Sequence, residues 1–195
     1  MVKLLIIADD FTGALDTGVQ FAARGAATRV VTDPAFDFAG VDDSVQVLVM
    51  DAETRHLSPE DAYSVVRRAV DRALKAGILY IYKKTDSALR GNIGAELTAV
   101  MDAAGADRMP FIPAFPKTRR TTQDGVHLID GVPVAESVFG QDPFEPVRHS
   151  HVAQILGEQS GVPVHVSPAL KAGDPLPEED GILVFDGTTD QELAG

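Results

Sequence analysis

Two adjacent carboxylates, Asp9 and Asp10, follow directly on the apolar run Leu4-Leu-Ile-Ile-Ala8 and precede a glycine-punctuated stretch, Phe11-Thr-Gly-Ala-Leu-Asp-Thr-Gly18. Paired acids at the end of a buried strand can hold Mg²⁺ through water, accept hydrogen bonds from substrate hydroxyls, or act as a base whose pKa is raised by the like-charged neighbour. Asp16 is a further candidate for the same group. The plainer use is an acidic loop and helix cap. Known phosphate patterns do not fit. A P-loop needs a lysine after its last glycine, whereas Gly18 is followed by Val19 and Gln20, and the dinucleotide fingerprint fails as well. A phosphatase of the haloacid dehalogenase type would need aspartate at position 8, where this chain has Ala8.

The second set of chemically capable residues is Lys83-Lys-Thr-Asp-Ser-Ala-Leu-Arg-Gly91, between an apolar run and a helical pattern. Lysine, arginine and hydroxyls near a helix N-terminus suit a carboxylate or phosphate. Asp51, Glu53 and Arg55 follow a third apolar run, and Lys117, Arg119 and Arg120 lie with His127 in an irregular segment. His127 by itself reads as a structural histidine. Arg55, Lys83, Lys84, Arg90, Lys117, Arg119 and Arg120 all fall after strands, on the edge where Asp9 and Asp10 would lie, and in a chain of formal net charge −12 that is a local trap for a small anion. Acids beside it would read hydroxyls, so the joint pattern suggests a sugar acid or a sugar phosphate.

The elements that must position these groups alternate regularly. Residues 4–8 form a strand buried on both faces, with Thr12 as the expected cap of a helix burying Leu15, Val19 and Ala22. Strands are expected at 28–32, 45–50, 78–82, 109–113, 162–166 and 182–185. Ser58-Pro59-Glu60-Asp61 starts a helix that runs to Gly77, and further helices are expected after Asn92 and over 150–160. Residues 114–149 break the rhythm, with a hairpin turning at Asp130-Gly131. The expected fold is α/β: a doubly wound, mainly parallel sheet with helices on both faces and an irregular, hairpin-containing insertion around 114–149. A length of 195 residues suits a single domain over 1–195. Thr189-Asp-Gln-Glu192 is a capping-box start close to the last residue, so a fragment cut from a longer protein is expected.

Composition narrows the partners. Acidic residues outnumber basic ones 29 to 17, which disfavours nucleic acid, and the N-terminal apolar run is too short for a signal peptide or a membrane span. With no cysteine there is no disulfide or thiolate site, and a cytoplasmic location is the expectation. A homo-oligomer is compatible with the sequence.

Three motifs in order, Ala8-Asp-Asp-Phe-Thr-Gly-Ala, Lys84-Thr-Asp-Ser-Ala-Leu-Arg-Gly-Asn92 and Pro113-Ala-Phe-Pro-Lys-Thr-Arg-Arg-Thr-Thr-Gln-Asp-Gly125, resemble the N-terminal domain of the four-carbon acid sugar kinases. The likeness continues through Val132-Pro-Val-Ala-Glu-Ser and Asp142-Pro-Phe. It implies an ATP-dependent kinase whose N-terminal half binds a threonate, erythronate or 3-oxo-tetronate, and whose C-terminal half, absent here, binds ATP and Mg²⁺. By the same resemblance Asp9 and Asp10 hold substrate hydroxyls, one as base, while Arg55, Lys84, Asp86, Ser87, Arg90 and Gly91 grip the sugar acid, with no metal held by this half. Two other classes stay open: a non-catalytic sugar-acid binding or sensing module, and a receiver-like domain with Asp51 as phosphoacceptor.

Overall fold

The computed structural model describes residues 2–194. The α/β class with mainly parallel strands is present, and its strands gather into two compact units, one of residues up to Asp86 with Ala95–Gly105, the other of Ser87–Gly94 with the residues from Ala106 onward.

In the first unit, β1 (Leu4–Ala8), β2 (Thr28–Val31), β3 (Val47–Asp51) and β4 (Tyr80–Lys84) form a parallel sheet of order β2-β3-β1-β4. The central strand β1 is flanked in register by β3 and β4, with Ala8 opposite both Asp51 and Lys84. The connection from β1 runs across β3 to reach β2, and the one from β3 runs across β1 to reach β4. Right-handed crossovers in opposite directions put α1 (Phe11–Ala22) and α2 (Pro59–Lys75) on opposite faces and open a crevice beyond the ends of β1 and β3. Ile6, Ala8, Val47 and Val49 pack with Ala14 of α1. Leu5, Ile7, Leu48 and Met50 point the other way and are also fully buried. Of the remaining helices, α2 carries a buried stripe, Ala62, Val66, Ala69, Val70 and Ala73, and α3 (Ile93–Ala104) is largely apolar.

Three local expectations are corrected. The cap of α1 is Asp10, whose Oδ1 accepts the Gly13 N–H at 2.7 Å, so Thr12 already lies inside the helix. The buried face of α1 is Gly13, Ala14 and Gly18, while Leu15 and Val19 are 40% and 59% exposed. Small residues bring the helix close to the sheet, and that approach outweighs the burial of two larger side chains. The fourth strand is displaced from 78–82 to Tyr80–Lys84, because the chain leaving α2 first turns through Gly77 (φ +83°), with the Ile78 N–H returning to the Ala73 carbonyl. Lys83 and Lys84 are therefore strand residues. The start of α2 is as expected: Ser58 caps it by accepting the Asp61 N–H, and Pro59 opens the first turn.

In the second unit β5 (Arg108–Phe111), β9 (Val164–Ser167) and β10 (Gly181–Phe185) form a parallel sheet of order β5-β10-β9. Beside these, β6 (Arg120–Gln123), β7 (Val126–Ile129) and β8 (Val132–Pro133) make an antiparallel sheet. Both its turns are Asp-Gly pairs with positive φ, Asp124-Gly125 and Asp130-Gly131, the pattern that closes two-residue hairpins. The expected helix over 150–160 is shorter, α4 (Val152–Gly157), and α5 (Asp190–Leu193) begins with the expected Thr189–Glu192 capping box.

At Gly18 a Cβ would stand 3.4 Å from Cγ2 of both Val30 and Val49. Gly18→Leu should overpack this seam and lower stability by about 1–3 kcal/mol, read as a reduced urea midpoint.

Candidate functional site

The crevice of the first unit is built around one guanidinium. Asp9, 2% exposed, directly follows β1, and Arg55 stands in the loop after β3. That loop runs along the end of β1 through three backbone bonds, from Ala52 N–H to the Ala8 carbonyl and from Thr54 and Arg55 N–H to the Asp9 carbonyl. Arg55 then donates from Nε to Asp9 Oδ2 at 2.8 Å and from Nη1 to Asp10 Oδ2 at 2.6 Å, with Nη2 3.7 Å from Asp86 Oδ1. Burial disfavours its charge, but the hydrogen bond to Asp9 and the nearby charges of Asp9, Asp86 and Asp10 outweigh it and raise its pKa. Removing one partner of such a pair would strand a buried charge, at a cost of about 3–5 kcal/mol.

Asp10 divides its carboxylate between two duties, Oδ1 capping α1 and Oδ2 receiving Arg55. Its side chain is 28% exposed, so it is the acid of the pair that reaches solvent. Lys84, at the end of β4, donates to the Thr85 carbonyl, and its Nζ is 3.6 Å from where a Cβ on Gly13 would stand. Burial lowers the pKa of this amine, against the opposing charges of Asp9, Asp86 and Asp10. Asp51 is 1% exposed, and burial raises its pKa despite the hydrogen bond from Glu53 N–H.

The remaining expected residues belong to the second unit, which the chain enters between Asp86 and Ser87. The Ser87 carbonyl faces Nε2 of fully buried His127 at 2.9 Å, and Nδ1 lies 3.1 Å from the Thr122 hydroxyl. A carbonyl only accepts, so Nε2 carries the proton and Nδ1 accepts from Thr122. Leu89 is buried with φ +63°, and Gly91 follows at φ +88°. A left-handed leucine is a strained backbone position of the kind that persists where surrounding contacts over-determine it. Gln159 clamps the segment, donating to the Gly91 carbonyl and accepting from Gly94 N–H. Arg90 pairs with Asp142 at 3.2 Å and lies over the Phe139 ring. Backbone N–H groups of Glu145 and Phe144, with Arg90 adding, pull the Asp142 pKa down to about 2. Arg90 and Gly91 line a cavity of about 230 Å³ with Glu145, Arg148, Glu158 and Gln159.

The expected anion trap needs correction. Arg55, Lys83, Arg90 and Arg119 are matched by Asp9, Glu96, Asp142 and Asp130 of this chain. The seven basic residues do not share one edge: Arg55, Lys83 and Lys84 belong to the first unit, with both lysines inside β4, while Arg90, Lys117, Arg119 and Arg120 belong to the second, and four of the seven are matched internally. Sequence reasoning missed Glu96, Thr54 and Gln159. Glu96 left a signal, an acid in the first turn of α3 directly beside the apolar Leu97. Thr54 and Gln159 left none, since their roles depend on tertiary placement.

Among the described residues no group of three or more His, Cys, Asp or Glu side chains could hold an ion, and Oδ2 of both Asp9 and Asp10 is turned to Arg55. Nor is any helix among them long and apolar enough to cross a membrane.

Open α/β sheets take ligands beyond the carboxyl ends of their strands, which is the edge where Asp9, Asp10 and Arg55 lie. Residues 4–195 match the family described as the sugar-binding N-terminal domain, and the chain belongs to it. It is 37% identical to the D-threonate kinase of Salmonella typhimurium, over 98% of this chain and 47% of the kinase. It is 32% identical to the D-erythronate kinase of Heliobacterium modesticaldum, over 99% of this chain and 47% of that protein. The chain thus spans about half the length of these relatives. A crystal structure from Bordetella bronchiseptica, described as a domain of unknown function with bound citrate in a domain-swapped dimer, superposes with a TM-score of 0.85 at 34% identity, covering 98% of this chain and 48% of that one.

The Asp142 shift fixes a pH dependence. A carboxylate whose folded pKa is about 2 and whose ordinary value is 3.8 contributes stability above that ordinary value and loses it as pH falls toward 2. Asp142→Asn should therefore show a shallower loss of stability across that window than the wild type, measured by urea unfolding at a series of pH values.

Proposed function

We propose that this chain is the substrate-binding part of an ATP-dependent kinase that phosphorylates a four-carbon sugar acid of the threonate, erythronate or 3-oxo-tetronate type. The observation that carries the reading is the Asp9–Arg55–Asp10 cluster at the sheet crevice, in a chain whose relatives include a D-threonate kinase and a D-erythronate kinase. Citrate, reported with the Bordetella bronchiseptica structure, is itself a hydroxy acid, which supports a site of this chemistry.

In this reading Asp10, the more exposed acid, accepts a hydrogen bond from a substrate hydroxyl and is placed to take its proton. Asp9 and Arg55 hold that carboxylate in direction. Lys84 and Asp86 complete the set in the first unit. Ser87, Arg90 and Gly91 belong to the second unit, and there the planar fork of Arg90 suits a carboxylate. ATP would supply the phosphoryl group, and the nucleotide and Mg²⁺ would be held by residues outside these 195, in a C-terminal nucleotide-binding domain. The residues of this chain bind and orient the acceptor, which is the part of phosphoryl transfer that depends on alignment. We place the protein in the cytoplasm and leave room for a homo-oligomer, as the swapped dimer of the relative suggests. The burial of Asp51 does not favour a phosphoacceptor role.

Binding and catalysis should separate. In a thermal-shift and calorimetric series the 195-residue chain should be stabilised by D-threonate or D-erythronate. Asp10→Asn and Arg90→Ala should each weaken binding roughly tenfold or more, the scale of one charge-assisted hydrogen bond. With ATP and Mg²⁺ the same chain should form no sugar-acid phosphate. Phosphorylation by the isolated chain would refute this division of labour.

A further inference from the structure

Glu96 and Lys83 are fully buried, with Lys83 Nζ 3.0 Å from Glu96 Oε2. Taking both charges out of water costs several kcal/mol per ion, and apolar residues of similar volume often serve stability as well or better. A pair of this kind is weak support for a fold, so its connections matter more than its energy. Glu96 Oε1 accepts from the hydroxyl of Thr54, itself fully buried. Thr54 and Arg55 both donate backbone N–H groups to the Asp9 carbonyl, and Arg55 is the residue whose side chain holds Asp9 and Asp10. On the other side Lys83 Nζ donates to the Lys84 carbonyl at 2.8 Å. One buried carboxylate on α3 is thereby tied to the residues adjoining both cations of the crevice, Arg55 and Lys84. Burial raises the Glu96 pKa, against the opposing pull of Lys83 and Thr54.

We infer that Glu96, Thr54 and Lys83 are positioning residues, which set Arg55 and through it Asp10 from beneath the site without touching the ligand. The affinity part of this inference rests on the sugar-acid reading above, whereas the geometric part does not. Two readouts keep them apart: hydrogen exchange of the Arg55 Nε–H followed by ¹⁵N NMR on the 195-residue chain, and the dissociation constants of D-threonate and D-erythronate.

Two changes break the link in different ways. Thr54→Val removes the hydroxyl at nearly constant volume, and Lys83→Met/Glu96→Leu replaces the ion pair by apolar groups. Both variants should remain folded by circular dichroism, yet exchange the Arg55 Nε–H roughly tenfold faster or more than the wild type. Thr54→Ser should restore slow exchange. If the wild type binds a sugar acid, both variants should also bind it more weakly, and the serine variant should recover. Wild-type exchange in either folded variant would overturn the inference. So would unfolding of both, since the network would then belong to the fold alone. Accelerated exchange in a chain that binds no four-carbon acid would leave the positioning role standing and remove the sugar-acid reading.

Discussion

The guanidinium of Arg55, bonded to Asp9 through Nε and to Asp10 through Nη1, is the interaction on which the rest of the crevice depends. Two carboxylates on adjacent residues repel each other. The guanidinium between them offsets that repulsion and fixes the direction of both, through Nε on one and Nη1 on the other. The backbone serves the same end. The loop after β3 is stitched to the end of β1 by three backbone hydrogen bonds, so that Arg55 is delivered to the acids by the sheet itself. In the strand order β2-β3-β1-β4 the connections from the neighbouring strands β1 and β3 leave in opposite directions, and the residues that follow these two strands meet at this junction.

That arrangement changes what the basic residues do. A set of free cations would bind anions of many kinds with little discrimination. Cations already matched by Asp9, Asp10, Glu96 and Asp142 act mainly by holding acceptors and backbone in place. On the proposed reading, carboxylates held this way would accept hydrogen bonds from hydroxyls, which a bare cation cannot do. The buried Glu96 extends this pattern one layer down, and His127 holds the Ser87 carbonyl of the second unit in a comparable way.

Much of this was legible in the sequence, for identifiable reasons. The apolar run ending in Asp9 marked β1, and Ser58-Pro59 marked α2, because burial and capping are local and chemically distinctive. Asp130-Gly131 announced a hairpin, but its companion at Asp124-Gly125 passed unread because Arg120-Thr-Thr-Gln123 carries no apolar alternation. Lys83 and Lys84 looked like loop residues, since nothing local shows that Glu96 stands across from Lys83 to permit its burial. The face of α1 was misread because Leu15 and Val19 outweigh Gly13 and Gly18 in hydrophobicity, whereas close approach to the sheet selects the smaller side chains. Asp9, Asp10, Arg55, Lys84 and Asp86 do come together in one unit, but which charges are matched is a tertiary property that spacing does not encode.

The central claim is that Arg55 acts as a fixed strut and Asp10 as the hand that meets the substrate. A crystal structure of the chain with D-threonate or D-erythronate tests it most directly. The account predicts a ligand hydroxyl within about 2.6–3.2 Å of the Asp10 carboxylate, with the Arg55 Nε–H still on Asp9. A ligand bound away from Asp10, or an Arg55 side chain released from Asp9 to grip the ligand's carboxylate, would contradict it.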